Sequence, residues 1–172
     1  MSEYEYDLAV IGSGPAGQKG AIAAAKLGKR VAVVDRKEMT GGVCVHTGTI
    51  PSKTLREAIL YLSGFRQRTF YGKNYVVSDR ISARDLAHRV QRVVEREVEV
   101  VHHQLRRNGV TSLVGSARFV DPHTLEVTPE AAQPFRVSAA HVLIACGTRS
   151  ASVDHSTQPE SGERRSPQER EW

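Results

Sequence analysis

Thiols are scarce in this chain. Of its 172 residues only Cys44 and Cys146 are cysteines, and they stand far apart, so no disulfide framework is available and a reducing cytoplasm is the expected compartment. No apolar run approaches the length that spans a bilayer, and the first residues, Met1 followed by Ser2, Glu3, Tyr4, Glu5, Tyr6 and Asp7, are acidic rather than basic. The expectation is therefore a protein that is neither exported nor anchored to a membrane. The formal charge is +5, yet Lys and Arg are scattered among Glu, with no basic block and no aromatic-basic motif of the kind that binds nucleic acid. An anionic small molecule fits that charge better than a nucleic acid. Of the seven histidines, His102 and His103 are adjacent on a predicted helix and cannot both face one ion, so no metal site is expected. There is no internal repeat. The length and an apolar content of 40% fit one domain.

What the chain does contain is a sequence of changing periodicities. Leu8, Ala9, Val10 and Ile11 form a short apolar run that breaks into Gly12, Ser13, Gly14, Pro15, Ala16 and Gly17; small residues follow over 21–27, with a stop at Gly28. This pattern predicts strand, tight turn and helix. Val31, Ala32, Val33 and Val34 make a second strand of the continuous apolar type found in parallel sheets, completing a βαβ unit at Asp35. After a glycine-rich loop, residues 50–62 carry Leu55, Ala58, Ile59 and Leu62 at helical spacing, with Pro51 near the helix start. Residues 65–80 read as a connecting loop.

Ile81, Leu86, Val90, Val93, Val94, Val98, Val101 and Leu105 trace one stripe of a long amphipathic helix, with Ser82 and Asp85 as its capping pair and Gly109 near its stop. Short β runs at 111–114, 117–120 and 124–127 then predict a small antiparallel meander, with Asp121, Pro122 and His123 in the turn between the last two. Residues 141–145 form one more buried strand, running into Cys146, Gly147 and Thr148. Beyond Arg149 the composition is Ser, Glu, Arg, Gln and Pro with almost no apolar residue, which cannot offset the entropy of ordering the chain. The expected organisation is an α/β domain over 1–149 and a disordered polar tail over 150–172.

The spacing of Gly12, Gly14 and Gly17 suits a dinucleotide. The first glycine allows the turn, the second lets backbone approach a pyrophosphate, and the third lets the helix pack on the strand. The helix start offers free N–H groups and a positive dipole end to the phosphates. Asp35 ends the next strand, where a carboxylate accepts from a ribose 2′-hydroxyl and repels a 2′-phosphate. On these residues alone the site favours FAD or NAD over NADP.

A second constellation narrows the choice. Gly41, Gly42, Val43, Cys44, Val45, His46, Thr47, Gly48, Thr49, Ile50, Pro51, Ser52 and Lys53 resemble the redox helix of the pyridine nucleotide disulfide oxidoreductases, in which Gly-Gly-x-Cys is followed, after four residues, by Cys-Ile-Pro-Ser-Lys. Cys44 keeps the first cysteine and Thr49 replaces the second. That departure argues against a dihydrolipoamide dehydrogenase, glutathione reductase or mercuric reductase and resembles the soluble pyridine nucleotide transhydrogenases. The resemblance covers roughly residues 5–149 and implies a Rossmann-like FAD-binding domain with a parallel sheet, a long helix and a small antiparallel meander, incomplete because it lacks the returning strand. It places Gly12, Ser13, Gly14, Pro15, Ala16 and Gly17 on the FAD pyrophosphate and Asp35 on the adenosine ribose. Arg36, Lys37, Gly41, Gly42, Val43 and Cys44 lie along the cofactor, and Ala117 offers backbone to the adenine. Ala145, Cys146 and Gly147, with Thr148 and Arg149, form a loop that closes over it.

Lys53 would lie beside the flavin ring as the catalytic residue, where a cation stabilises the charge developing as hydride arrives. The implied activity is transfer of hydride from NADPH through FAD to NAD, with NAD and NADP as substrates of the complete enzyme. A complete enzyme would continue into a nicotinamide-binding domain, a returning strand and a domain that makes the homodimer. This chain would then be the N-terminal FAD-binding part, without transhydrogenase activity alone. An inactive flavin-binding fragment is the alternative, and a disulfide reductase the third choice.

Overall fold

A computed structural model describes residues 3–36, 39–64 and 82–148. The expected loop at 65–80, Ile81, and the expected tail at 150–172 lie outside the described residues, as do Lys37 and Arg149.

Strand β1 (Tyr6–Ile11) leads through the glycine turn into helix α1 (Pro15–Lys26), and β2 (Val31–Asp35) returns beside β1. The strands are parallel, Val10 opposite Val33. Pro15 at the first helical position costs α1 nothing, because its missing N–H has no partner there in any helix. Helices α2 (Gly42–His46), α3 (Thr49–Leu62) and α4 (Ala83–Arg107) follow. The start of α4 is a reciprocal capping box: the Asp85 N–H donates to Ser82 Oγ at 3.2 Å and the Ser82 N–H donates to Asp85 Oδ2 at 3.0 Å.

Beyond α4 come β3 (Thr111–Val114), β4 (Ser116–Asp121), β5 (Thr124–Thr128) and β6 (Phe135–Ile144). The sheet order is β3-β2-β1-β6-β5-β4. β6 serves two neighbours. Its later residues, from Ala139 to Ile144, run parallel to β1, while Phe135, Arg136, Val137 and Ser138 run antiparallel to β5.

Alternation along the parallel strands sends successive side chains to opposite faces. Val10, Val31 and Val33 pack on one face with Ala21 of α1 and Val101 and Leu105 of α4. On the other face Ala9 meets Leu125 and Ala139, and Val34 meets Val127 and Val137. The meander thus folds back over the sheet opposite the helices. Burial on both faces is why β1 and β2 read as unbroken apolar runs rather than alternating ones.

Two strand assignments differ from expectation. Residues 111–114 are not the first strand of the meander; they pair in parallel with β2, Ala32 opposite Thr111 and Asp35 opposite Val114. The final strand begins at Phe135 rather than at residue 141 and supplies the meander's third strand. Both differences have one cause. A short β run looks the same whether its partner is local or distant, and three of the described helices lie between β3 and its partner. The glycine-rich loop also holds α2, too short for a periodicity to reveal. In α3, Ala58 is buried while Leu55 and Ile59 are 39% and 47% exposed, so only part of the predicted apolar stripe faces the core. Among the described residues no helix is long and apolar enough to cross a membrane.

Two predictions follow from this packing. Leu125→Ala, at a side chain with no exposure that packs with Ala9 and Ala139, should lower the unfolding free energy by about 2–5 kcal/mol, read as a shift in the urea midpoint. Asp7, at the start of β1, accepts from the Arg30 backbone N–H at 2.8 Å and from its guanidinium at 3.2 Å, and the backbone bond first and the side-chain bond second hold its pKa below the ordinary Asp value. A depressed folded-state pKa contributes stability above the unfolded pKa that is lost as pH falls through the folded one. The destabilisation caused by Asp7→Asn should therefore be present at neutral pH and vanish in acid, as checked by urea unfolding across that range.

Candidate functional site

The C-terminal ends of the parallel strands open into a cleft of about 570 Å³, within the range of small-molecule sites. Its walls come from five stretches of chain. Ile11, Gly12, Gly14, Pro15 and Ala16 come from the first turn, and Val34, Asp35, Arg36 and Met39 from the end of β2. Gly42, Val43 and Cys44 come from α2, Gly115, Ser116 and Ala117 from the start of β4, and Ala145, Cys146, Gly147 and Thr148 from the segment after β6.

Ser13 ties three of these stretches together from beneath. It is 2% exposed. Its hydroxyl donates to Asp35 Oδ2 at 2.6 Å and accepts from the Gly41 N–H at 3.0 Å, while its own N–H donates to the same Asp35 oxygen at 2.6 Å. The other Asp35 oxygen accepts from the Arg36 N–H at 2.8 Å. The first turn is also anchored through backbone, with the Gly12 N–H on Val34 O at 2.8 Å and the Ala145 N–H on Ile11 O at 2.8 Å. Beside it, His46 Nε2 donates to Thr40 O at 2.8 Å and holds the loop that enters α2.

The glycines of the turn have different reasons to be glycine. Gly12 has φ of +103°, and a Cβ there would meet Ala145 O. A Cβ on Gly17 would meet Gly12 O, so helix and turn touch through backbone. Gly14 differs. Its φ of −63° suits any residue, and a Cβ would find nothing nearer than Gly42 Cα at 4.0 Å. The chain itself therefore gives no steric reason for glycine at 14, and this residue lines the cleft at the start of α1, whose N-terminus has no side-chain cap and no acidic residue in its first turn.

Of the residues singled out from sequence, Gly12, Gly14, Pro15, Ala16, Asp35, Arg36, Gly42, Val43, Cys44, Ala117, Ala145, Cys146 and Gly147 line the cleft together. Ser13, Gly17 and Gly41 are buried behind it and shape it. Lys53 is exposed on α3 and is not among the lining residues. Met39, Gly115 and Ser116 were not anticipated; the approach of Gly115 and Ser116 depends on β3 pairing with β2, which carries Gly115 to a hydrogen bond with Asp35 O at 3.0 Å. Both cysteines are free, and among the described residues no group of three or more His, Cys, Asp or Glu could hold a metal ion.

Comparisons with known proteins bear on the family and the fold. The family description "Pyridine nucleotide-disulphide oxidoreductase" matches residues 6–167, extending past residue 149. A soluble pyridine nucleotide transhydrogenase of Mycobacterium bovis is 58% identical over 148 residues, covering 86% of this chain and 32% of the relative. A protein of the same name from Erwinia tasmaniensis is 38% identical over 149 residues, covering 87% and 32%. The chain thus spans about a third of the length of these relatives. The solved copper(II) complex of the HOCl-induced flavoprotein disulfide reductase RclA from Escherichia coli superposes with a TM-score of 0.68 at 24% identity, over 90% of this chain and 31% of that one. The fold is the Rossmann-like flavoprotein fold.

The Ser13 tie makes a direct prediction. Ser13→Ala removes the acceptor of a buried N–H and one donor to Asp35, and should lower the unfolding free energy by about 1–3 kcal/mol. Amide hydrogen exchange at Gly41 should accelerate in that variant beyond what global destabilisation accounts for.

Proposed function

The chain belongs to the pyridine nucleotide-disulphide oxidoreductase family, and from that premise we propose that its cleft binds FAD noncovalently, as the FAD-binding part of a transhydrogenase that moves hydride between NADPH and NAD. The observation that carries the reading is Gly14, a glycine that lines the cleft and for which the surrounding chain gives no steric reason. A ligand passing close to the backbone at the α1 N-terminus supplies that reason, and a pyrophosphate is the group such a site favours. FAD fits the donor set. Asp35 already accepts three hydrogen bonds and, with about four lone-pair sites, retains capacity for one ribose hydroxyl.

Arg36, the backbone of Ala117 and the loop of Ala145, Cys146 and Gly147 would hold the rest of the cofactor, and Lys53 would serve its flavin end from α3. FAD supplies the capacity to take up and give back a hydride; the residues of this chain bind and orient it. The transhydrogenase reading is favoured over a disulfide reductase by Thr49. The position where the resembling reductases carry their second cysteine holds an exposed hydroxyl side chain, so Cys44 has no sulfur partner there. Positioning of a nicotinamide against the flavin, which supplies much of the rate, would fall to sequence in the two thirds of the relatives that this chain does not span. Homodimer formation would fall there as well, and a reducing cytoplasm suits the two free thiols.

The test separates binding from folding. Gly14→Ala should leave the urea midpoint unchanged or raise stability by about 0.4–1 kcal/mol, yet weaken FAD binding at least about tenfold, or ~1.4 kcal/mol. Gly17→Ala should disrupt the fold itself. FAD fluorescence quenching and equilibrium unfolding read the two effects, and an untreated chain that takes up no FAD would sink the proposal.

A further inference from the structure

Gly14 gives a ligand room, and the same residue creates a difficulty for holding an anion. The peptide joining Ser13 to Gly14 can present either its N–H or its carbonyl to the cleft. Turning it over carries φ of residue 14 from −63° into the positive range, which a Cβ resists and glycine tolerates. Ser13 itself cannot follow such a turn, since its N–H and hydroxyl are both bound to Asp35. A carbonyl left facing the cleft would repel a phosphate. The orientation is held from behind by Gln18, near the start of α1, whose Nε2 donates to Ser13 O at 2.7 Å. Among the described residues no peptide bond is cis, so the N–H and the carbonyl of this peptide point to opposite sides. With Ser13 O turned to Gln18, the Gly14 N–H points the other way, and among the described residues it donates to no other group. Gly14 lines the cleft and Gln18 does not.

We propose that Gln18 is a positioning residue for the cofactor: its amide locks the Ser13–Gly14 peptide with the N–H toward the cleft, where a phosphate oxygen of the dinucleotide accepts from it. The inference rests on the FAD reading of the cleft. Gln18 acts through Ser13 O, and the chemistry of that contact fixes what the side chain must be. A carbonyl only accepts, so the group facing it has to be the NH2 of the amide; a carboxylate of the same length would repel it, and a methionine of similar shape would leave it without a partner. Without the lock the chain divides between two orientations, and the apparent affinity falls by the fraction that keeps the N–H in place. With it, the donor is oriented before the ligand arrives. The lock matters at this position because residue 14 is glycine. A residue with a Cβ would bar the turned-over peptide by itself.

The experiment is a double-mutant cycle on the full chain, with FAD affinity read by fluorescence quenching in wild type, Gln18→Met, Gly14→Ala and the double variant, each checked for folding by urea unfolding. Gln18→Met should weaken FAD binding roughly three- to tenfold in the wild-type background. In the Gly14→Ala background the same change should cost less than about twofold, because alanine already excludes the turned-over peptide. An ordinary packing role for Gln18 would instead cost the same factor in both backgrounds. The amide NMR signal of Gly14 gives a second readout in the cofactor-free chain: Gln18→Met should displace it, and saturating FAD should return it to the position seen in FAD-loaded wild type. Equal losses in the two backgrounds, no loss in either, or a Gly14 signal that Gln18→Met leaves in place overturns the lock while the FAD reading stands. Should Gln18→Met fail to fold, Gln18→Ala takes its place in the cycle, and failure of both makes Gln18 a residue of the fold and overturns the assignment. A wild-type chain that takes up no FAD overturns the FAD reading and the lock with it.

Discussion

The hydroxyl of Ser13 holds the candidate site in one piece. Three segments must meet for the cleft to exist: the turn after β1, the end of β2, and the loop that enters α2. Ser13 gives a proton to Asp35 and takes one from the Gly41 backbone, so one buried oxygen satisfies groups from the two neighbouring segments. Burial strengthens such a network and also makes each missing member costly. The same bonds orient Asp35, leaving one face of its carboxylate in the cleft wall.

The location of the cleft follows from topology. From β1 the chain crosses to β2 on one side, while β6 lies on the other, so the loops leaving β1 and β6 diverge at the carboxyl ends of the strands. A crevice opens at such a switch point, where ligands of open α/β sheets bind. The meander then does two things at once. Leu125, Val127 and Val137 cover the sheet face opposite the helices, and the start of β4 delivers Ser116 and Ala117 to the cleft. Packing and site construction are consequences of the same fold-back.

Much of this was legible in the sequence because it is local. The glycine turn, the Asp35 strand end and the Ser82–Asp85 capping pair each declare themselves within a few residues, and the structure places each where the pattern put it. Pairing was less legible. The parallel partnership of β3 with β2 joins residues distant in sequence, with three of the described helices between them, and nothing in Thr111, Ser112, Leu113 and Val114 tells a parallel neighbour from an antiparallel one. That one misplacement hid Gly115 and Ser116 from the list of site residues. The roles of the three turn glycines were also invisible as such: identical letters conceal a positive φ at Gly12, a backbone contact at Gly17 and open space at Gly14.

The edge of β6 shows how the cleft depends on what lies beside it. Among the described residues, Phe135, Arg136, Val137 and Ser138 of β6 pair with β5, and from Ala139 onward the strand partner is β1. Leu143 and Ile144 on this stretch are 37% and 63% exposed. An open edge carrying apolar side chains invites pairing with further polypeptide, and the longer relatives have about twice as much additional sequence from which to supply it. The free edge runs directly into Ala145, Cys146, Gly147 and Thr148, which line the cleft. A contact along this edge would bear directly on the segment that Ala145 N–H already ties to Ile11 O, so order at the sheet margin and order beside the glycine turn are linked.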